Sequence, residues 1–274
     1  MSDEPASRRF EVSLPALPGD LKSTLGQRPA VVKDEGGRVL RGITYRFPRR
    51  DVLVNATLEV PKGGTCVVTG ANGSGKSTLL YISAGLVPAQ RGYVRIGGQK
   101  PDPVRPSELT RKGIRRGFVF QEGGLLSNMN ALANVALALR YHADLLGLGL
   151  AEIEKRAKGA LDRVRVTTNE MYELPAHLSF GVRKRVALAR AIAIEPNFFY
   201  FDDPDVGLDP KTASLVHEIL CGYRDDPEVT MIVATNRDLL VDRLAVPGYV
   251  LAGGTIAERA PGSRSLVPST HRRA

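Results

Sequence analysis

The chain has 274 residues, 43% of them hydrophobic and 24% charged, the mixture of a globular protein with a buried core and not of a disordered or fibrous one. Its formal net charge of +9 favours an anionic partner, nucleic acid or a membrane surface, without choosing between them. The longest uncharged run, residues 123–139, is broken by Ser127, Asn128, Asn130 and Asn134, so no stretch offers the ~18–20 apolar residues of a membrane-crossing helix. Asp3, Glu4, Arg8 and Arg9 open the chain with no apolar run after them, which predicts no secretory leader and a cytosolic protein. The two cysteines, Cys66 and Cys221, sit in separate apolar contexts and predict buried, reduced thiols rather than a disulfide or a metal site.

Residues 1–37 carry Pro5, Pro15, Pro18 and Pro29 without an apolar period and read as an N-terminal extension. Strands are predicted over 39–47 and 52–60, joined by the basic turn Pro48-Arg49-Arg50, with a short β run at 65–69. A helix over 77–84, an edge strand at 93–96 and a buried strand at 116–120 follow. From 130 to about 190 the pattern is helical: Ile153, Ala157, Ala160, Leu161 and Val164 share one face of a helix with Glu152 and Glu154 near its start and Arg163 and Arg165 near its end. Buried strands at 198–201 and 230–234 flank a helix that Asp209 can cap and Pro210 can begin. Strands alternating with helices imply an α/β sheet, and after Pro261 a basic tail, 260–274, carries Arg264, Arg272 and Arg273.

Gly70-Ala71-Asn72-Gly73-Ser74-Gly75-Lys76-Ser77 has the spacing of a phosphate-binding loop between a strand and a helix. Its glycines let backbone N–H groups approach an anion, and the start of the helix adds positive potential. Lys76 would reach the β and γ phosphates, and the Ser77 hydroxyl would ligate Mg²⁺. Phe198-Phe199-Tyr200-Phe201-Asp202 supplies four apolar strand residues ending in a carboxylate, as a Walker B strand does, and makes Asp202 the metal-side carboxylate.

Leu178-Ser179-Phe180-Gly181-Val182, opening a helix just before Asp202, resembles the signature motif of ABC ATPases. Gln121 resembles the Q-loop residue, Gly207-Leu208-Asp209 the D-loop, and Tyr45 the aromatic that stacks on adenine. The resemblance spans residues 38–259 and implies the ABC type of P-loop NTPase fold: α/β, with a mixed sheet, an antiparallel β subdomain and a helical subdomain, about 125–190, between Q-loop and signature. It further implies that ATP is held by Tyr45, Gly70, Ala71, Asn72, Gly73, Ser74, Gly75, Lys76, Ser77 and Thr78. Mg²⁺ would lie at Ser77, Gln121 and Asp202, and Gln121, Asp203 and Asn236 would serve catalysis. Two copies would face head to tail, Ser179 and Gly181 of one closing over the ATP of the other.

Two departures bear on turnover. Asp203 stands where the family has a glutamate that polarises the attacking water, and Asn236, in Thr235-Asn236-Arg237-Asp238, stands where it has a switch histidine. A carboxylate one methylene shorter and an amide that cannot carry charge predict ATP binding and closure with slow hydrolysis. A regulatory subunit that binds ATP but hardly hydrolyses it, in a heterodimer, is the alternative. The run from Gln121 to Asn130 followed by Asn134-Val135-Ala136 resembles the ATPases of Mla or MCE-type bacterial lipid transporters. That resemblance implies a membrane permease, MCE-type lipid-binding subunits and a place on the inner face of the cell membrane, with no nucleic acid partner. It sets Leu125, Leu126, Met129, Leu132 and Val135 near a permease groove, an ordinary core role being the alternative for each.

Overall fold

The computed structural model describes residues 36–102, 105 and 107–259; the extension up to residue 35 and the basic tail from residue 260 lie outside the described residues. The first half contains β1 (Arg38–Phe47), β2 (Arg50–Val60), β3 (Thr65–Thr69), α1 (Lys76–Ser83), β4 (Arg91–Ile96), α2 (Ser107–Arg111) and β5 (Arg116–Val119). Helices α3 (Ala131–Tyr141), α4 (Ala143–Leu146), α5 (Leu150–Arg163), α6 (Thr168–Met171) and α7 (Phe180–Ile192) come next, with a single 3₁₀ turn at Pro175–His177 before the last of them. The chain then returns to the sheet through β6 (Phe198–Asp202), α8 (Pro210–Arg224), β7 (Thr230–Ala234), α9 (Asp238–Leu244), β8 (Gly248–Ala252) and β9 (Thr255–Glu258).

Two sheets result. One is antiparallel, in the order β2-β1-β4; the other has six strands in the order β5-β6-β7-β3-β8-β9, parallel except for the β8–β9 pair. Side-chain alternation along the central strands divides the interior into two cores. Val67, Phe199, Phe201, Met231 and Val233 face the core shared with α3, α5 and α7. Their neighbours Cys66, Val68, Phe198, Tyr200 and Ile232 face α1 and the antiparallel sheet. Strands buried on both faces read as continuous apolar runs, which is why 198–201 and 230–234 stood out in the sequence.

The helical insertion follows its pattern: Ile153, Ala157, Ala160, Leu161 and Val164 are all buried, while Glu152–Arg156 and Glu154–Lys158 pair at i,i+4 on the outer face of α5. Asn134 of α3 is wholly buried. Its Oδ1 accepts from the Leu126 N–H at 2.8 Å, and its Nδ2 donates to the carbonyls of Leu126, Met129 and Asn130 at 3.1, 2.9 and 3.1 Å.

Two expectations, on one strand and one cysteine, need correction. The strand expected at 116–120 as a buried one is the edge strand β5, with burial alternating along it. Arg165 does lie near the end of α5, following its C-cap in a left-handed conformation, φ 57°, with its N–H donating to the Asp162 carbonyl at 2.9 Å. Cys66 is buried as expected but Cys221 is only half-buried. Of the residues given either a groove or a core role, Val135 is wholly buried in the core, Leu125 and Leu132 pack partly against it, and Leu126 is exposed.

Candidate functional site

The cradle is built where β3, buried along its whole length, ends and α1 begins. Gly75 stands at the N-cap of α1 with φ 108°, and a Cβ there would lie 2.6 Å from Val52 Cγ1, so only glycine fits this approach. No side chain caps α1 and no acidic residue lies in its first turn, which leaves its leading N–H groups for an anion. Arg50 braces the loop from β2, donating to the Gly73 carbonyl at 2.6 Å.

Lys76 is buried, and its Nζ donates to the carbonyls of Gly70 at 2.8 Å and Ala71 at 3.2 Å. Burial lowers its pKa, against the charges of Asp203 and Asp202. Next to it the Ser77 hydroxyl donates to Asp202 Oδ1 at 3.0 Å, and the Tyr81 hydroxyl stands 3.5 Å from Asp202 Oδ2. Asp202, at the end of β6, is almost fully buried; burial pushes its carboxyl above the ordinary range, the Ser77 hydrogen bond opposes this and Asp203 adds to it.

Asp203 follows in a left-handed conformation, φ 43°, its N–H donating to the Ala234 carbonyl of β7 at 2.9 Å. Lys184 of α7 reaches the Asp203 carbonyl with its buried ammonium at 3.2 Å. The Asp203 carboxyl is likewise raised by burial, and Lys76 opposes the rise. Its Oδ1 is buried with no hydrogen-bond partner. Asn236, beyond β7, closes the loop from the other side: its Oδ1 accepts from Gly70 N–H at 3.2 Å and its Nδ2 donates to Asn72 Oδ1 at 2.9 Å.

These residues surround one open cavity of about 700 Å³, lined on the loop side by Asn72, Gly73, Gly75, Lys76, Ser77 and Thr78 and on the far side by Gln121, Asp203, Asn236 and Arg237. Gly70, Ala71 and Ser74 belong to the same loop but do not line it, and Asp202 sits behind Ser77. Tyr45 does not line the cavity either. The aromatic at the wall is Phe47, 48% exposed, with Tyr45 edge-on behind it at 5.3 Å and packed on the core. Tyr45 and Phe47 share a strand face, and the sequence could not say which end of that face meets the cavity.

Ser179 and Gly181 are absent from the lining. Ser179 caps α7, its Oγ accepting from Val182 N–H at 3.3 Å. The Phe180 ring rests on Gly207, where a Cβ would lie 2.8 Å from Phe180 Cε1, so the signature and D-loop segments are packed together. Asp209 caps α8, accepting from the N–H groups of Lys211 and Thr212 at 3.0 Å each. Tyr81, Lys184 and Arg237 were given no role from sequence and Arg50 entered only as part of a basic turn; Arg237 at least stood beside a named residue, while Lys184 lies about one turn into a helix and gave no local sign.

The donor set suits a hard divalent cation: a hydroxyl oxygen on a buried carboxylate, with the unpartnered Asp203 oxygen nearby. Among the described residues no group of three or more His, Cys, Asp or Glu could hold an ion unaided, so such an ion needs phosphate oxygens as further ligands.

Comparison with known proteins agrees with this geometry. Residues 53–206, more than half of the chain, match the family model of the ABC transporter. The chain is 35% identical over 194 residues to the lipoprotein-releasing system ATP-binding protein LolD of Acinetobacter baylyi, covering 69% of this chain and 82% of LolD. It is 30% identical over 216 residues to the intermembrane phospholipid transport system ATP-binding protein MlaF of Escherichia coli, covering 78% of each. It is 34% identical over 241 residues to the methionine import ATP-binding protein MetN 1 of Rhodopseudomonas palustris, but spans only 63% of that protein's length. The dimeric post-hydrolysis structure of the ATP-binding cassette MJ0796 bound to ADP and Pi superposes with a TM-score of 0.73 at 29% identity, covering 81% of this chain and 97% of that one. No described helix is long and apolar enough to cross a membrane. The chain belongs to the ABC transporter family, among its ATP-binding subunits.

Proposed function

We propose that this chain is the ATP-hydrolysing subunit of an ABC transporter, in which ATP closes two cassettes together and slow hydrolysis reopens them, driving transport through a separate membrane permease. The observation that carries the reading is the convergence of Lys76, Ser77, Asp203 and Asn236 on one cavity at an uncapped helix start. Residues 38–259 form the ATP-binding domain, with 125–190 as its helical subdomain. Residues 1–37 are an extension and 260–274 a basic tail.

In this reading the loop amides and Lys76 take the phosphates, the ammonium leaving the Gly70 and Ala71 carbonyls for them. Ser77, Asp202 and Gln121 would hold Mg²⁺, which neutralises charge between the β and γ phosphates. Asp203 orients water, and Asn236 donates its amide to the terminal phosphate. Ser179 and Gly181 of a second cassette complete the site. The shorter Asp203 side chain moves its carboxylate away from a glutamate's reach, and a displacement of about 1 Å can cost ~100-fold in rate. Lys76→Ala is expected to weaken ATP binding about 10–100-fold, as loss of a charged hydrogen-bond donor does; wild-type affinity in that variant would overturn the reading.

The transported class is phospholipid, in a system of the Mla or MCE type, with the cassette on the inner face of the cell membrane. Similarity to MlaF and LolD and the run from Gln121 to Val135 support this, while similarity to MetN 1 points elsewhere. Affinity purification from detergent extract should return a permease and a lipid-binding MCE chain; a permease of another class would refute the lipid assignment. Asp203 and Asn236 together favour a second reading, a regulatory subunit paired with an active homologue, which the same purification would reveal as a heterodimer.

A further inference from the structure

Behind the cavity lies a buried carboxylate–imidazole contact that none of the motifs accounts for. Asp205, on the turn between Asp203 and α8, places its Oδ2 2.9 Å from His217 Nε2 of α8, each side chain 1% exposed. The same carboxylate oxygen stands 3.7 Å from Nε of Arg237, which is half exposed and lines the cavity beside Asn236. A line of three residues thus runs from the core, through a carboxylate, to the wall of the nucleotide site. A buried carboxylate is costly unless paired, and here the guanidinium near it belongs to a residue that lines the same cavity as Lys76.

The site has a deficit of charge at this place. Asn236 is neutral at any pH, whereas the terminal phosphate carries negative charge spread over its three equatorial oxygens throughout transfer. A guanidinium is always charged and carries five donors, so one held through Nε still presents its Nη groups to phosphate oxygens.

Resting on the reading of the cavity as an ATP site, we propose that Arg237 binds the terminal phosphate and supplies there the positive charge that Asn236 lacks, with Asp205 and His217 as positioning residues. Arg237 thereby distinguishes triphosphate from diphosphate. Asp205 fixes the direction of the guanidinium, and His217 fixes Asp205.

Calorimetry on the full chain, wild type and Arg237→Gln, with ADP and with the non-hydrolysable triphosphate adenylyl imidodiphosphate, tests this. Arg237→Gln should lose at least ~10-fold in affinity for the triphosphate and stay within about twofold for ADP, the expected mark of a charged hydrogen bond to the terminal phosphate alone. Arg237→Lys, which keeps the charge without the fork, should fall between, and Asp205→Asn should shift the ratio in the same direction by less. Melting curves identify folded variants, and Arg237→Lys serves should the glutamine variant not fold. An unchanged triphosphate-to-ADP ratio, or equal losses for both nucleotides, overturns the proposal while leaving the ATP site standing. A folded wild type that binds neither nucleotide overturns the functional reading and this inference with it.

Discussion

Gly70 and Asn236 are joined by a hydrogen bond of 3.2 Å from the glycine N–H to the asparagine Oδ1, across 166 residues of chain. With the second bond from Asn236 Nδ2 to Asn72, the segment after β7 clasps both ends of the loop's first turn. Asn236→Ala removes both. Each such bond contributes about 1 kcal/mol, so ATP affinity should fall roughly 5–30-fold through a loosened loop. Calorimetry would read the loss, and an unaltered affinity would show that the clasp does not shape the loop.

Asp203→Glu is expected to raise turnover at saturating ATP by ~10–100-fold, by restoring the reach of the carboxylate. A phosphate-release assay on both proteins checks it, and an already fast wild type with no gain would count against the shortened carboxylate as the brake.

The two raised carboxyls make the nucleotide-free protein sensitive to pH. Asp202 and Asp203 are raised by burial, so between their unfolded and folded pKa values the folded chain binds more protons than the unfolded one. Their contribution to stability is therefore fully present below the ordinary aspartate range and is lost as pH rises through the folded values. Asp203→Asn should melt higher than wild type near neutral pH, with the advantage shrinking on acidification.

Phe47, not Tyr45, is the wall aromatic, and base stacking on such a ring is worth about 1–3 kcal/mol. Phe47→Ala should weaken ATP binding ~5–100-fold on that scale, whereas Tyr45→Phe should leave it within about twofold. Comparable losses in both variants would return Tyr45 to the site.

The thiols should differ in reactivity. Burial pushes Cys66 up to about 12, so in the folded protein it carries almost no thiolate at pH 8, and half-buried Cys221 is the more accessible. Iodoacetamide under native conditions should add one group, mapped by mass spectrometry to Cys221, with Cys66 modified only after denaturation.

The phosphate loop was legible in the sequence because its glycines answer to local geometry: the φ of Gly75 and its contact with Val52 leave no room for another residue. The caps by Ser179 and Asp209 were legible for the same reason, since a cap and the N–H groups it serves are three residues apart at most. Tertiary relations were not. Asp205 and His217 meet across the turn that leads into α8, and nothing in the eleven residues between them marks that approach. The β8–β9 hairpin had only its Gly253-Gly254 turn to announce it, and it was not assigned. Phe47 and Tyr45 obey the same alternation, and the choice between them depends on where the cavity opens.

The wholly enclosed amide of Asn134 has a mechanical consequence. By gripping Leu126, Met129 and Asn130 through four bonds, it fixes the bend from Leu126 to the start of α3. Exposed Leu126 is thereby carried on backbone that is already ordered, so a group contacting it would have little conformational entropy to remove there.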